Sequence, residues 1–246
     1  MCGIAGYSSL LETPDLKRVS HLLHHRGPDD LGFFEDKVNG IGMVHTRLSI
    51  LDTSIKGHQP MKIEDEQVVI VFNGEIYNYL ELRTQLEKEG EVFYGESDTE
   101  VLLRYYLRHG RDSKNIGTFL NLLNGIFAFA LWDGVLGEML IARDAFGVKP
   151  LYISESPNYL AFSSEIKALT PLIDQPLELD FVSLDGYLTN LWCPGEGTPV
   201  SNIKKLGPGE ALWVRNGKIR DRLRWYKLPA LRNLIEGKSL SEKEMI

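Results

Sequence analysis

Short apolar segments closed off by turn residues recur along most of the chain, and they constrain its fold more than any other feature. Gly3 to Ser9, Gly42 to Ile50, Gln67 to Ile76, Gly125 to Asp133, Glu138 to Arg143, Leu151 to Glu155 and Tyr159 to Ser163 have the length and apolar content of strands. Trp132-Asp133-Gly134, Ser156-Pro157-Asn158 and Asn216-Gly217 read as hairpin turns, which join antiparallel neighbours and argue against a purely parallel sheet. Helical patterns are interleaved with the strands. Thr13 as N-cap and Pro14 at the first helical position precede Leu16, Val19, Leu22 and Leu23 at helical spacing. A second helix is expected over Tyr79 to Lys88 with Gly90 as its stop. A third opens at Ser97, which forms a capping-box pair with Glu100, and ends at Gly110; Asp180 caps a fourth carrying Val182, Leu184, Tyr187 and Leu188. Strands apolar on one side and helices to cover them predict an α+β fold of stacked sheets flanked by helices.

Charge narrows the function. Thirty-four acidic against twenty-seven basic residues leave the chain at -7, a poor match to nucleic acid, whose phosphates require a cationic surface. From Ser201 onward the balance reverses, with eleven Lys/Arg against five Asp/Glu. That stretch is a docking surface or an exposed strand edge, and the alternation of Lys218, Arg220, Arg222 and Arg224 favours the edge. No apolar run approaches the roughly 18 residues that span a bilayer, no signal-type segment opens the chain, and two cysteines make no disulfide framework. The cytoplasm is the expected compartment. His21, His24 and His25 lack the further ligands that a zinc site of about four donors needs, so no metal is expected.

Cys2 follows the initiator methionine. Removal of Met1 would leave a cysteine with a free α-amine, which titrates near pH 8 and can take the proton of its own thiol, directly or through water. Taken by position alone, Cys2 reads rather as a small buried hydrophobe at the start of a strand.

The wider pattern bears on that choice. Met1-Cys2-Gly3-Ile4-Ala5-Gly6, His25-Arg26-Gly27-Pro28-Asp29-Asp30, Thr46-Arg47-Leu48-Ser49-Ile50 and Phe72-Asn73-Gly74-Glu75-Ile76-Tyr77-Asn78 occur in that order. Ser97-Asp98-Thr99-Glu100, the run from Ala142 to Tyr152 and Phe162-Ser163-Ser164-Glu165-Ile166-Lys167 follow. The set resembles a class II glutamine amidotransferase, in particular the glutaminase half of glutamine-dependent asparagine synthetases.

That resemblance implies an N-terminal nucleophile hydrolase fold, a four-layer α/β/β/α sandwich with two antiparallel sheets. It implies Cys2 as nucleophile with its amine as base, and the Asn73 side-chain amide and Gly74 N–H as oxyanion donors. Arg47 would meet the carboxylate of L-glutamine, Asp98 and Glu75 its ammonium, and Leu48 and Ile50 would complete the substrate contacts. Arg26 and Asp29 read as scaffold, and the Gly147 to Pro150 region as a shaped turn. Residues 1–228 are expected to form the glutaminase domain, and 229–246 a linker or the start of a synthetase domain lying outside this sequence. No cofactor is expected in the glutaminase domain, ATP and magnesium belonging to the synthetase part. The expected partners are glutamine and that C-terminal synthetase domain, with homodimerisation left open. Two other readings stand beside this one. One is a catalytically idle packing module like that of β-lactam synthetases; the other is an ammonia donor to a paralogue amidating a different carboxylate.

Overall fold

The computed structural model describes residues 1–10, 14–111, 115–173 and 175–228. The strands are β1 (Gly3–Ser9), β2 (Asp30–Asp36), β3 (Ile41–Arg47), β4 (Met61–Ile63), β5 (Val68–Ile76) and β6 (Gly125–Asp133). They continue as β7 (Glu138–Arg143), β8 (Tyr152–Ser156), β9 (Tyr159–Ser163), β10 (Lys204–Lys205), β11 (Glu210–Arg215) and β12 (Lys218–Arg224). The helices are α1 (Leu16–Leu23), α2 (Tyr79–Lys88), α3 (Asp98–Tyr105), α4 (Ile116–Leu122), α5 (Ile166–Leu169) and α6 (Phe181–Asn190).

Two six-stranded sheets form, ordered β10-β8-β9-β1-β3-β2 and β12-β11-β7-β6-β5-β4. Every strand pairing in them is antiparallel. Strand alternation then sorts the side chains. On β5, Val69 and Val71 face the other sheet and join Ile4, Met43, Ala130 and Ile141 in the central core. Val68, Ile70 and Phe72 point the opposite way, into a core shared with Leu102 and Leu103 of α3 and Phe119 of α4. The outer face of the first sheet packs Ala5 and Tyr7 against Leu16, Val19 and Leu23 of α1 and Leu169 of α5. The order is therefore helices, sheet, sheet, helices, the expected four-layer sandwich.

The three hairpin turns fall where the sequence places them, with Asn158, Asn216 and Gly217 at positive φ. Other details depart from expectation. The first helix begins at Leu16 with Asp15 as its cap, the Asp15 carboxylate accepting from Lys17 N at 2.9 Å, so Pro14 lies before the helix. Thr13 lies outside the described residues, as does the connecting segment 229–246. Ser97 caps α3 by accepting from Glu100 N, but the Glu100 carboxylate is drawn to Tyr94 N, Gly95 N and Arg104 instead of returning to Ser97. The strand expected over Gly42 to Ile50 leaves the sheet after Arg47. Strand β2 is a sheet edge that alternates in burial, with Leu31, Phe33 and Glu35 exposed and Gly32 and Phe34 turned inward. The basic strand β12 is a sheet edge whose Arg220, Arg222 and Arg224 pair with Glu138, Glu196 and Glu210. Among the described residues, no helix is long and apolar enough to cross a membrane.

Candidate active site

Strand β1 starts, β3 ends and β5 ends at the same rim of the sandwich, so three separate motifs converge there on a cavity of about 290 Å³. Cys2, Arg47, Leu48, Ile50, Asn73, Gly74, Glu75 and Asp98 all line it. The structure thus brings together every site residue singled out in the sequence.

Cys2 lies immediately before β1. Its sulfur accepts from Leu48 N at 3.4 Å, a contact made because the chain turns out of β3 after Arg47. Burial pushes the thiol above its ordinary value, while the Leu48 backbone hydrogen bond and the nearby positive charges pull it down. The Arg26 guanidinium holds the Cys2 carbonyl at 2.9 Å and Glu165 at 2.9 Å, and the Asp29 carboxylate accepts from Ser49 N at 2.8 Å. Both residues fix the loops that carry the thiol.

The free edge of β5 supplies donors. Phe127 N bonds the Asp144 carboxylate and Phe127 O accepts from Asp144 N, so the facing Gly74–Phe127 pair is a non-hydrogen-bonded one in the ladder. The N–H groups of Phe72, Gly74 and Ile76 consequently point away from β6. Phe72 N donates to Gln59 Oε1 at 2.7 Å and Ile76 N to Asp98 Oδ2 at 2.9 Å, leaving the Gly74 N–H between them directed at the cavity. A Cβ on Gly74 would lie 2.4 Å from Ile126 O, so close approach of β6 requires glycine there. Asn73, on the opposite face of β5, is 1% exposed, and its Nδ2 has no hydrogen-bond partner among the described residues. A buried amide donor without a protein partner normally costs about 1–3 kcal/mol, and Asn73 lines the cavity, where a ligand can accept from it.

The backbone behind these donors is fixed by two residues that the sequence reading missed. Gln59 holds Phe72 N and donates to Thr99 Oγ1 at 3.3 Å, and His45 Nε2–H donates to Phe72 O at 3.1 Å. Full burial pushes His45 down to about 4, so its imidazole is neutral at physiological pH. Neither lies in a local pattern that signals this role; only the fold brings them to Phe72.

Arg47 and Asp98 stand as charged walls. The Arg47 Nη1 donates to Ser54 O at 3.1 Å and Nη2 to Leu51 O at 3.3 Å and to Asp52 O, so the loop after β3 wraps its guanidinium. A Cβ on Gly57 would sit 2.0 Å from Nη2, which explains glycine in that wrap. Ile50 is two-thirds exposed and stands at the rim. Asp98 opens α3 and is 5% exposed; burial, aided by the charge of Glu75, raises its carboxyl from 3.8 to about 6.

The raised value has a consequence for stability. The folded chain binds this proton more tightly than the unfolded chain, so the Asp98 contribution is most favourable below its unfolded value and is lost as pH rises through about 6. Ionised Asp98 at neutral pH then costs the fold on the order of 3 kcal/mol. Asp98→Asn, which keeps an acceptor for Ile76 N, is expected to raise the thermal midpoint near about pH 7.5 and to lose that gain near about pH 4. Thermal denaturation at the two pH values checks it; no stabilisation at the higher pH would contradict the assignment.

Comparison with known proteins fits this geometry. Residues 1–226 match the glutamine amidotransferase domain family, and the chain belongs to that family. It is 39% identical over 222 residues to asparagine synthetase [glutamine-hydrolyzing] 1 of Bacillus subtilis, covering 87% of this chain and 34% of that protein. It is 36% identical over 212 residues to asparagine synthetase [glutamine-hydrolyzing] 2 of the same organism, covering 83% of this chain and 26% of that protein. The chain thus spans about a third or less of these relatives. A solved structure of glutamine phosphoribosylpyrophosphate amidotransferase from B. subtilis superposes with a TM-score of 0.69 at 22% identity, covering 92% of this chain and 50% of that one. At that identity the likeness speaks for the fold alone, the N-terminal nucleophile hydrolase sandwich.

Proposed function

We propose that the chain hydrolyses the side-chain amide of glutamine on Cys2 and supplies the ammonia to a synthetase domain. The arrangement of a buried thiol, an unpartnered Asn73 amide and an outward Gly74 N–H around one cavity carries this reading. With Met1 removed, the α-amine takes the thiol proton as sulfur bonds to the amide carbon. The carbonyl electron pair moves onto oxygen, where Asn73 Nδ2–H and Gly74 N–H stabilise it. Collapse breaks the C–N bond, the amine returns the proton to the leaving nitrogen, and ammonia departs. Water then adds to the thioester, gives its proton to the amine, and the C–S bond breaks to yield glutamate and the thiol.

Selectivity for the free amino acid rests on its two end charges: Arg47 would meet the carboxylate, and Asp98 with Glu75 the ammonium. Protonated Asp98 lacks the charge that holds the ammonium, so KM rises as pH falls through about 6. The likeness to glutamine-hydrolysing asparagine synthetases supports a synthetase half that amidates an acyl-adenylate of aspartate, with residues 1–228 as the glutaminase domain. Equimolar release of glutamate and ammonia from glutamine, absent in Cys2→Ala, is the expected result. Failure of the Met1-free chain to release either product, alone and in the presence of the synthetase half, would overturn the reading.

A further inference from the structure

The Gly147 to Pro150 region reads in the sequence as a shaped turn, and its build does more than turn the chain. Asp144 is fully buried, and its carboxylate accepts from Phe127 N at 3.2 Å, Phe146 N at 3.1 Å, Val148 N at 2.9 Å and Lys149 N at 3.0 Å. The Arg143 guanidinium donates to Lys149 O at 2.7 Å, Gly147 O at 2.6 Å and Leu206 O at 2.5 Å. Lys149 is therefore clamped at both its N–H and its carbonyl, while its side chain lines the cavity with Cys2, Asn73 and Glu75. Among the described residues it has no carboxylate at ion-pair distance. Arg47, a second cation of the cavity, donates to loop carbonyls twice from Nη2 and once from Nη1, which keeps an Nη1 N–H for a substrate carboxylate.

Building on the reading of Cys2 as nucleophile, we propose that Lys149 is its electrostatic partner, an ammonium held by the Arg143–Asp144 clamp so that its field favours the thiolate. The chemistry suits lysine: a point charge on a flexible stem adds positive potential without the planar two-donor geometry that a carboxylate ligand invites. Its charge acts on the Cys2 thiol in the required direction, alongside the larger effects of the α-amine and Arg47, against the rise that burial causes. Because the clamp uses only the Lys149 backbone, the side chain can be changed without releasing the loop.

The test is the pH dependence of Cys2 alkylation by iodoacetamide in the full chain, with Cys2→Ala subtracting reaction at Cys193. Lys149→Met is expected to move the profile up by about half a unit to one unit, slowing alkylation about three- to tenfold near neutral pH. Lys149→Arg is expected to restore most of it, and KM for glutamine to stay within about twofold. Superimposable profiles, or a rise in KM with alkylation unchanged, would overturn the proposal, the second by making Lys149 a substrate ligand. Alkylation needs no glutamine, so a shifted profile in a chain that fails to hydrolyse glutamine even beside the synthetase half would sink the glutaminase reading and leave the Cys2–Lys149 coupling standing.

Discussion

Cys2→Ala is expected to lower glutamine hydrolysis on the order of 10⁴- to 10⁶-fold, because Cys2 is the one thiol among the cavity's described lining residues. The only other cysteine, Cys193, is buried and bonds Ser183 O, away from the motifs that meet at the cavity. Folding should survive, since the hydrogen bonds of the Cys2 sulfur among the described residues go only to the Leu48 backbone and the Arg26 clamp grips the Cys2 carbonyl, which alanine retains. Glutamate release, measured beside a thermal melt, separates the two effects. Residual activity within about tenfold of the parent would exclude Cys2 as nucleophile.

The second large effect belongs to Asn73→Ala. Loss of one oxyanion donor slows turnover by about 10² to 10³. Here the loss should fall on kcat, because the developing oxyanion needs the Nδ2 donor more than the bound amide does. Stability should change little, since this side-chain donor has no protein partner to lose. A variant that melts far below the parent, or that raises KM with kcat intact, would show that Asn73 serves the fold or substrate binding instead. The same orphaned donor bears on the idle-module alternative: a packing module has no use for a buried amide held without a partner beside a thiol.

Much of this was legible before the fold. The hairpins announced antiparallel sheets because Asn158, Asn216 and Gly217 supply the positive φ that tight turns demand. The cavity residues were named through the resemblance of the ordered motifs to class II glutamine amidotransferases, which joins segments that no local pattern connects. What escaped depends on contacts between distant segments. The cap of α1 moved to Asp15, and the Glu100 carboxylate was drawn away from Ser97 by two backbone donors and Arg104. Gln59 and His45 acquire their role only when β3 and the loop before β4 meet Phe72. Lys149 was hidden inside a motif whose glycine and proline read as turn chemistry, since nothing local shows that the turn brings a lysine to the cavity that Cys2 lines.

The most direct test of the central claim is an intact-mass spectrum taken after incubation with 6-diazo-5-oxonorleucine, a glutamine mimic that alkylates amidotransferase nucleophiles, with Cys2→Ala alongside. The account predicts a chain lacking Met1 that carries one adduct, and no adduct on the variant. A Met1-free chain that stays unmodified, or an adduct that persists when Cys2 is replaced, would contradict it.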